Sequence, residues 1–425
     1  MGRIIGMVMI LCCLTQEICT RDTGQFIGAS MSFTIINGKN GFEVQLDVIS
    51  GWVLGLGPCG INCSRASINS NTKAAREEVL QKEGDINLFG NWTVEFKTSS
   101  MNRSHVIDIT QFVYSSINES VVDVSEKGGW EQVWTVVRYP MIHNAPWLDI
   151  AFEGVSWKNL SLQGVNKEWH LQMKATSDSR SDTGKPNNSP QAFSKPFYRL
   201  LLDKDNHIRI ATIDPDGDQV TCALSQYIEG GVAAQILLPN ITVTKDCIIT
   251  IPSNRSLGYQ NGSLGAVAIT VSDYSVSGNT LGGMIRSFSA IGVQFLVQFL
   301  DNISEPVFIF PTPEGNHKFN IYSGTTWKID VYAEPISPAL IDRFSCLGRQ
   351  HEDVKIINFK STSVLNHENV KMATMTWTPL HTDVGNHILC VGVEDSNGMD
   401  SSDQRCYLLD VKPSLEVNQS MNNPN

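Results

Sequence analysis

The sequence predicts an all-β protein of three tandem antiparallel β-sandwich modules, with one short helix inserted in the first. Three observations carry this expectation. Apolar and polar residues alternate along most of the chain: Phe42, Val44, Leu46 and Val48 with Glu43, Gln45 and Asp47; Trp92, Val94 and Phe96 with Thr93 and Glu95; Trp327, Ile329 and Val331 with Lys328 and Asp330. A period of two puts one strand face in a core and the other in water. The length, 425 residues, exceeds what one sandwich takes. Two breaks in composition then cut the chain into segments of sandwich size. Hydrophobic residues at 41% and charged ones at 18% argue against a disordered chain or a coiled coil. With 32 Lys and Arg against 43 Asp and Glu, the net charge of −11 argues against nucleic acid as a partner and directs attention to acidic cation sites.

Residues 1–20 read as a secretory signal peptide. Arg3 supplies the positive start and Ile4 to Leu14 form an apolar run too short to span a bilayer, with cleavage expected near Cys19 to Arg21. The expected location is therefore secreted and extracellular. Asn-x-Ser/Thr sequons agree: Asn62, Asn91, Asn102, Asn118, Asn159, Asn240, Asn254, Asn261, Asn302 and Asn418 are the expected glycosylation sites, and Asn187 is set aside because Pro190 follows its serine. No later apolar run reaches the roughly 18 residues of a membrane span, and the tail 413–425 is polar, so neither a span nor a lipid-anchor signal is expected.

The first module spans residues 25–164. Its one helical stretch is Thr72 to Lys82, rich in Ala, Glu and Lys, in a polar insertion after Cys63. The second spans 165–301 and contains a Ser-, Asp-, Asn- and Pro-rich linker at 176–195. Asp301 to Pro306 interrupt the strand pattern, and the third module spans 303–412. The runs Ala266 to Val271, Val293 to Leu300 and Ile388 to Val393 are short, partly β-branched and bounded by turn residues, as sandwich strands are.

Removing the leader takes Cys12, Cys13 and Cys19 from the count and leaves seven cysteines. Cys59 and Cys63 can close a tight surface loop; a zinc reading is poor because no second Cys or His pair lies nearby. Cys222 and Cys247 flank two strands of the second module. Cys390 and Cys406 lie on the last two strands, and a cross-strand bridge between them leaves Cys346 outside, a candidate for a disulfide-linked dimer. The alternative, Cys346 to Cys390, would span the sheets as an immunoglobulin pair does, at a short spacing for that role.

Asp214-Pro215-Asp216-Gly217-Asp218 is the sharpest local motif. Asp214, Asp216 and Asp218 can converge on a calcium ion, which takes several oxygen ligands; the same Pro and Gly would also make a plain acidic turn. The bidentate Glu of a twelve-residue calcium loop is absent. Among nine tryptophans, Trp130 beside Gly128-Gly129 and Trp147 after Pro146 are expected to be exposed and could stack on sugars, whereas Trp52 and Trp134 read as core. No nucleophile elbow, zinc-protease, P-loop or dinucleotide pattern occurs and the nine histidines are dispersed, so no enzymatic activity is expected. His351-Glu352 and His367-Glu368 read as solvated loop residues.

Asn188-Ser189-Pro190, Pro196 and the strand Ile208 to Ile213 running into Asp-Pro-Asp-Gly-Asp-Gln-Val-Thr resemble the opening of cadherin-like and Ig-like repeats of extracellular adhesion proteins. Met375-Thr376-Trp377-Thr378-Pro379, Asp383-Val384-Gly385, the strand Ile388 to Val393 and Asp395-Ser396-Asn397-Gly398 resemble the closing half of the same class. Leu300 to Phe308 is similar to the calcium-chelating linker between cadherin repeats, with Ile303 and Ser304 where an acid and an amide would stand. The resemblance covers scattered motifs over 180–412. In layout the chain also resembles the amino-terminal region of von Willebrand factor D and EGF domain-containing secreted proteins. It implies a β-sandwich binding protein of adhesion, matrix or surface recognition whose partners are extracellular proteins or glycans, with calcium as the candidate cofactor. A carbohydrate-binding or carbohydrate-active protein is the alternative.

Overall fold

The structure, a computed structural model, describes residues 26–38, 41–83, 89–96, 104–140, 147–155, 157–158, 160–163, 168–176, 179–180, 182–275, 287–336, 338–347, 354–364, 367–401 and 403–414. The expected signal peptide (residues 1–20), Asn102, Asn159, Asn418, His351-Glu352 and most of the polar tail lie outside these residues.

The chain is mostly β-strand, as its alternation predicts. The strands up to residue 176 are β1 (Phe26–Gly38), β2 (Gly41–Val53), β3 (Asn91–Phe96), β4 (His105–Asp108), β5 (Asn118–Ser125), β6 (Trp130–Pro140), β7 (Trp147–Gly154) and β8 (Trp169–Thr176). Then come β9 (Gln191–Phe193), β10 (Phe197–Leu201), β11 (Asp205–Arg209), β12 (Ala211–Ile213), β13 (Gln219–Leu224), β14 (Thr242–Val243), β15 (Ile248–Pro252), β16 (Leu264–Tyr274) and β17 (Ser289–Leu300). The last eight are β18 (Val307–Phe308), β19 (Lys318–Tyr322), β20 (Trp327–Glu334), β21 (Ile341–Leu347), β22 (Lys355–Val364), β23 (His367–Trp377), β24 (Gly385–Asp395) and β25 (Arg405–Lys412).

The expected helix forms as α1 (Lys73–Glu83). Two shorter ones join it, α2 (Thr110–Ser116) and α3 (Tyr227–Gln235). Their brevity hid α2, and the glycine pair at 230–231 hid α3, since glycine is a poor interior helix residue.

Residues 26–300 form one body. Its large sheet runs β4-β3-β7-β8-β17-β1-β2-β6-β5, and β17, in the middle of that order, also pairs with β10 and β16. One edge of β17 pairs with β16 from Ser289 to Gln298. Its other edge meets β8 at Ala290, β1 at residues 293–295 and, in parallel, β10 at residues 296–300. Both faces of β17 are covered: Ile291, Val293, Phe295, Leu296, Val297 and Phe299 are all at 0% exposure. This explains its near-continuous apolar run, the pattern of a strand buried on two sides.

The expected boundary between residues 164 and 165 therefore does not separate two sandwiches. Ladders link β1 of the first stretch to β17 of the second and β7 of the first to β8 of the second, and one apolar core runs from Phe26 to Phe299. Nor is 176–195 a free linker. Phe33 N–H donates to Ser189 Oγ at 2.7 Å, Ile35 N–H donates to Asn188 Oδ1 at 3.0 Å, and Asn187 and Ser189 are fully buried. Its polar side chains take the place that apolar ones would have in a strand, by satisfying the edge of β1.

Residues 307–412 form a separate two-sheet sandwich. One sheet runs β18-β20-β23-β22 and the other β19-β25-β24-β21, with β19 parallel to β25. This is the immunoglobulin-like strand order, and Trp327, Val331 and Met375 from one sheet share a core with Val391, Tyr407 and Leu409 from the other.

Gly28 marks how tightly β17 approaches β1. Its φ is +149°, and a Cβ there would lie 2.4 Å from Gln294 O and 2.8 Å from Phe295 Cα. Gly28→Ala should cost about 1–3 kcal/mol in urea unfolding. Gly41→Ala, at φ +126° with nothing within 4 Å of the added Cβ, should cost less; equal losses would contradict the close approach.

Candidate functional site

The described chemistry concentrates where the C-terminal sandwich meets the body. The outer face of its β24 and β25 strands carries Ile388, Cys390, Cys406 and Leu408, which pack on Phe193, Ala211 and Ile213 of the body. Beside this apolar contact lies a buried ionic cluster. Arg343 Nη1 donates to Asp123 Oδ1 at 2.6 Å and its Nε to Glu394 Oε2 at 2.8 Å. Arg65 reaches Asp342 at 2.6 Å and Glu394 at 3.2 Å, and Ser125 Oγ donates to Glu394 Oε1 at 3.0 Å. Asp123 and Glu394 are 2% and 1% exposed, so each depends on these cations.

The turn Asp395-Ser396-Asn397-Gly398 lies against the body. Lys127 Nζ donates to Ser396 O, Arg199 Nη1 donates to Gly398 O at 2.9 Å, and Lys195 Nζ donates to Ser401 O. A Cβ on Gly398 would lie 2.5 Å from Lys127 Cβ and 2.7 Å from Gly128 N. Only a glycine at φ +77° leaves room for this contact.

The Asp214 loop lies at the same junction and lines a cleft of about 280 Å³ with Lys318 and Asn386 of the sandwich. Its three carboxylates come together within 4.8 Å. Asp216 and Asp218 N–H groups both donate to Asp214 Oδ1, at 2.8 and 3.0 Å. The turn at Asp395 has the same form: Asn397 and Met399 N–H groups donate to Asp395 Oδ1, both at 2.8 Å, with Gly398 where Gly217 stands. That second turn forms without two further carboxylates, so the loop geometry comes from the first aspartate and the glycine.

The extra carboxylates engage Arg180. Its guanidinium donates to both oxygens of Asp218 and to Asp182, and stands 4.3 Å over the Phe288 ring. Asn188 donates to both oxygens of Asp216, at 2.7 and 2.9 Å. Asp214 Oδ2 is buried with no hydrogen-bond partner. Burial, aided by nearby Asp273, Asp218 and Asp216, pushes its carboxyl up to about 7. Arg180, Arg343, Asp123 and Glu394 were not legible as site residues. The available signal was a lone arginine among the Ser and Asp of 177–182, and charges at 343 and 394 breaking apolar strands.

All three expected disulfides form: Cys59–Cys63, Cys222–Cys247 and Cys390–Cys406. The first closes a loop over Glu131, whose carboxylate accepts from Gly55 N–H at 2.9 Å and Cys59 N–H at 3.1 Å while burial pushes it up to about 7. Cys346 is 8% exposed inside the sandwich core, and burial pushes its thiol up to about 12. The structure thus contradicts a dimer bonded through Cys346, because the thiol cannot reach a second chain without opening the core.

Trp130 was expected at the surface and is 3% exposed, in the body core; the Gly128-Gly129 turn folds back over it. Trp147 is half-buried with Lys174 Nζ 5.4 Å over its ring. The two do not form a shared sugar platform. Among the expected glycosylation sites, Asn62, Asn118, Asn240, Asn254, Asn261 and Asn302 are exposed and Asn91 is half-buried. Asn187, set aside on sequence, is at 0%.

Glu131 and Asp214 titrate higher in the folded chain than the ordinary carboxylate range. Their protonation therefore adds stability that is fully present at about pH 4 and is lost as pH rises through about 7. With chelator present, the melting temperature should fall between pH 5 and pH 8, and Glu131→Gln with Asp214→Asn should reduce that fall. An unaltered pH dependence in the double variant would contradict the assignment.

No protein-family model and no curated protein matches the chain. Among solved structures, it is similar to tandem Ig domains of titin at 10% identity, covering 53% of this chain and 98% of that one with a TM-score of 0.19. It is also similar to the sialic acid binding region of a Streptococcus sanguinis adhesin at 12% identity, covering 56% and 80% with a TM-score of 0.19. An endo-fucoidan hydrolase of glycoside hydrolase family 107 is similar at 11% identity, covering 70% and 37%, again at 0.19. Likeness at that level carries no argument; the strand order is what makes residues 307–412 an Ig-like β-sandwich.

Proposed function

We propose that the chain is a secreted, N-glycosylated protein of adhesion, extracellular matrix or surface recognition, acting by binding and not by catalysis, through the outer face of the β18-β20-β23-β22 sheet. The observation that carries this reading is the distribution of the expected glycosylation sites: nine fall between Asn62 and Asn302, and none between residues 303 and 412. The opposite sheet of the sandwich is docked on the body. The remaining face presents Lys328, Asp330 and Tyr332 on β20 and Lys355 and Ile357 on β22, the two strands that flank β23. A module held by buried ion pairs offers this face with little ordering cost on binding. No helix among the described residues is long and apolar enough to cross a membrane, and three disulfides suit an oxidising compartment. The cadherin-like resemblance belongs to this proposal as a suggestion of class.

A glycan placed on that face tests the reading. Lys328→Asn with Asp330→Thr creates a sequon, and its occupied form should lose capture of extracellular partners at least about tenfold, while Asn118→Gln should not. Undiminished capture with the added glycan in place would contradict it.

A calcium ion at Asp214, Asp216 and Asp218 is a second proposal, favoured by the unpartnered, buried Oδ2 of Asp214. The ion would compete with Arg180 for Asp218. If it binds, chelation should lower the melting temperature of the native chain and leave Asp214→Asn unmoved; a native chain indifferent to chelator has only a turn there.

A further inference from the structure

A second cleft, of about 470 Å³, lies in the body between α3 and the ends of β3, β7 and β8. Neither the docked sandwich nor the Asp214 loop contributes to it. Asn91 pairs with Glu153 across β3 and β7, and Glu153 pairs with His170 across β7 and β8, so the three stand in one row. Three strands at the usual spacing make that row about 10 Å long. Glu153 Oε2 and His170 Nδ1 are 2.8 Å apart. The Trp169 indole fills the space that side chains at Gly90 and Gly154 would take, with added Cβ atoms 2.5 and 2.6 Å from its ring. On the far lip, α3 presents Tyr227 and Ile228, 58% and 67% exposed, before it breaks at Gly231 with φ 57° and ψ −138°.

The cleft thus joins an apolar lip to a row of hydrogen-bonding groups, the combination a pyranose ring requires: one face of C–H bonds and a rim of hydroxyls. Asn91 itself opens the sequon Asn91-Trp92-Thr93, and its Oδ1 is buried with no hydrogen-bond partner among the described residues. A sugar joined to this amide would be held at the cleft mouth at high effective concentration, without needing affinity of its own.

We infer that the cleft is the seat of the chain's own glycan: the first N-acetylglucosamine on Asn91 lies against Tyr227 and Ile228, with its polar groups toward Glu153 and His170. The bond is made by the secretory pathway. Asn91 Nδ2 displaces the diphosphate of a lipid-linked oligosaccharide; the C1–N bond forms as the amide gives up a proton and the lipid diphosphate departs. The inference rests on the secretion reading above.

Site occupancy of the secreted chain, mapped peptide by peptide, comes first. Asn91 should be occupied together with the exposed Asn118 and Asn254. Trimming every glycan to its first sugar should leave the melting temperature unchanged, whereas full removal should lower it by about 2–4 °C. Thr93→Ala, which removes the sequon and keeps Asn91, should lower it by the same amount, and so should Asn91→Gln; Asn254→Gln should not. Occupancy at Asn118 and Asn254 with Asn91 bare would overturn the inference and leave secretion standing. A chain bare at every sequon would overturn both. Stabilisation of the Thr93→Ala chain by free N,N′-diacetylchitobiose, with a native chain bare at Asn91, would assign the cleft to an external saccharide instead.

Discussion

Arg343 joins the two halves of this molecule. It sits on the sandwich strand β21, bonds Glu394 on the neighbouring β24, and reaches across to Asp123 on β5 of the body. Two carboxylates at 1–2% exposure beside each other would repel and would each lose their water. The guanidinium is what lets both stay buried. Such a cluster adds little net stability by itself, since desolvation offsets most of the attraction, but it fixes one orientation of docking because any other leaves charges without partners. The apolar contact around Cys390, Cys406 and Phe193 supplies the burial, and the close fit of Gly398 on Lys127 and Gly128 sets the distance. Presentation of the remaining sheet face depends on this arrangement.

Much of the fold was legible because it is local. Alternation at Phe42 to Val48 or Trp327 to Val331 reports a strand wherever that strand ends up pairing, and the three disulfides connect positions within one unit of the chain. The division into modules was less legible because it depends on partners far along the sequence. Gly28 pairs with Phe295, and nothing in either segment announces the other. The Ser-, Asp-, Asn- and Pro-rich residues 176–195 look like linker by composition, yet Asn188 and Ser189 within them satisfy the edge of β1. Composition reports the absence of apolar side chains, and here that absence reflects hydrogen bonding to an edge.

The candidate site was legible in its loop and not in its surroundings. Asp214, Asp216 and Asp218 converge as their spacing suggests, but Arg180, some 34 residues upstream of Asp214, already neutralises part of the cluster. Trp130 shows the opposite error: a Gly-Gly neighbour suggested exposure, whereas the glycines allow the turn to fold back on the ring. In both places the side chain's environment is set by segments that sequence proximity does not reveal.

Through the Arg343 contact and the apolar packing on Phe193, body and sandwich form one rigid unit. The distance between spin labels introduced at exposed Lys204 and Lys328, measured by pulsed dipolar spectroscopy on the purified chain, tests whether they do. A single narrow distribution, as wide as the labels' own freedom, is expected. A broad distribution, as from two modules joined only through residues 301–306, would contradict it.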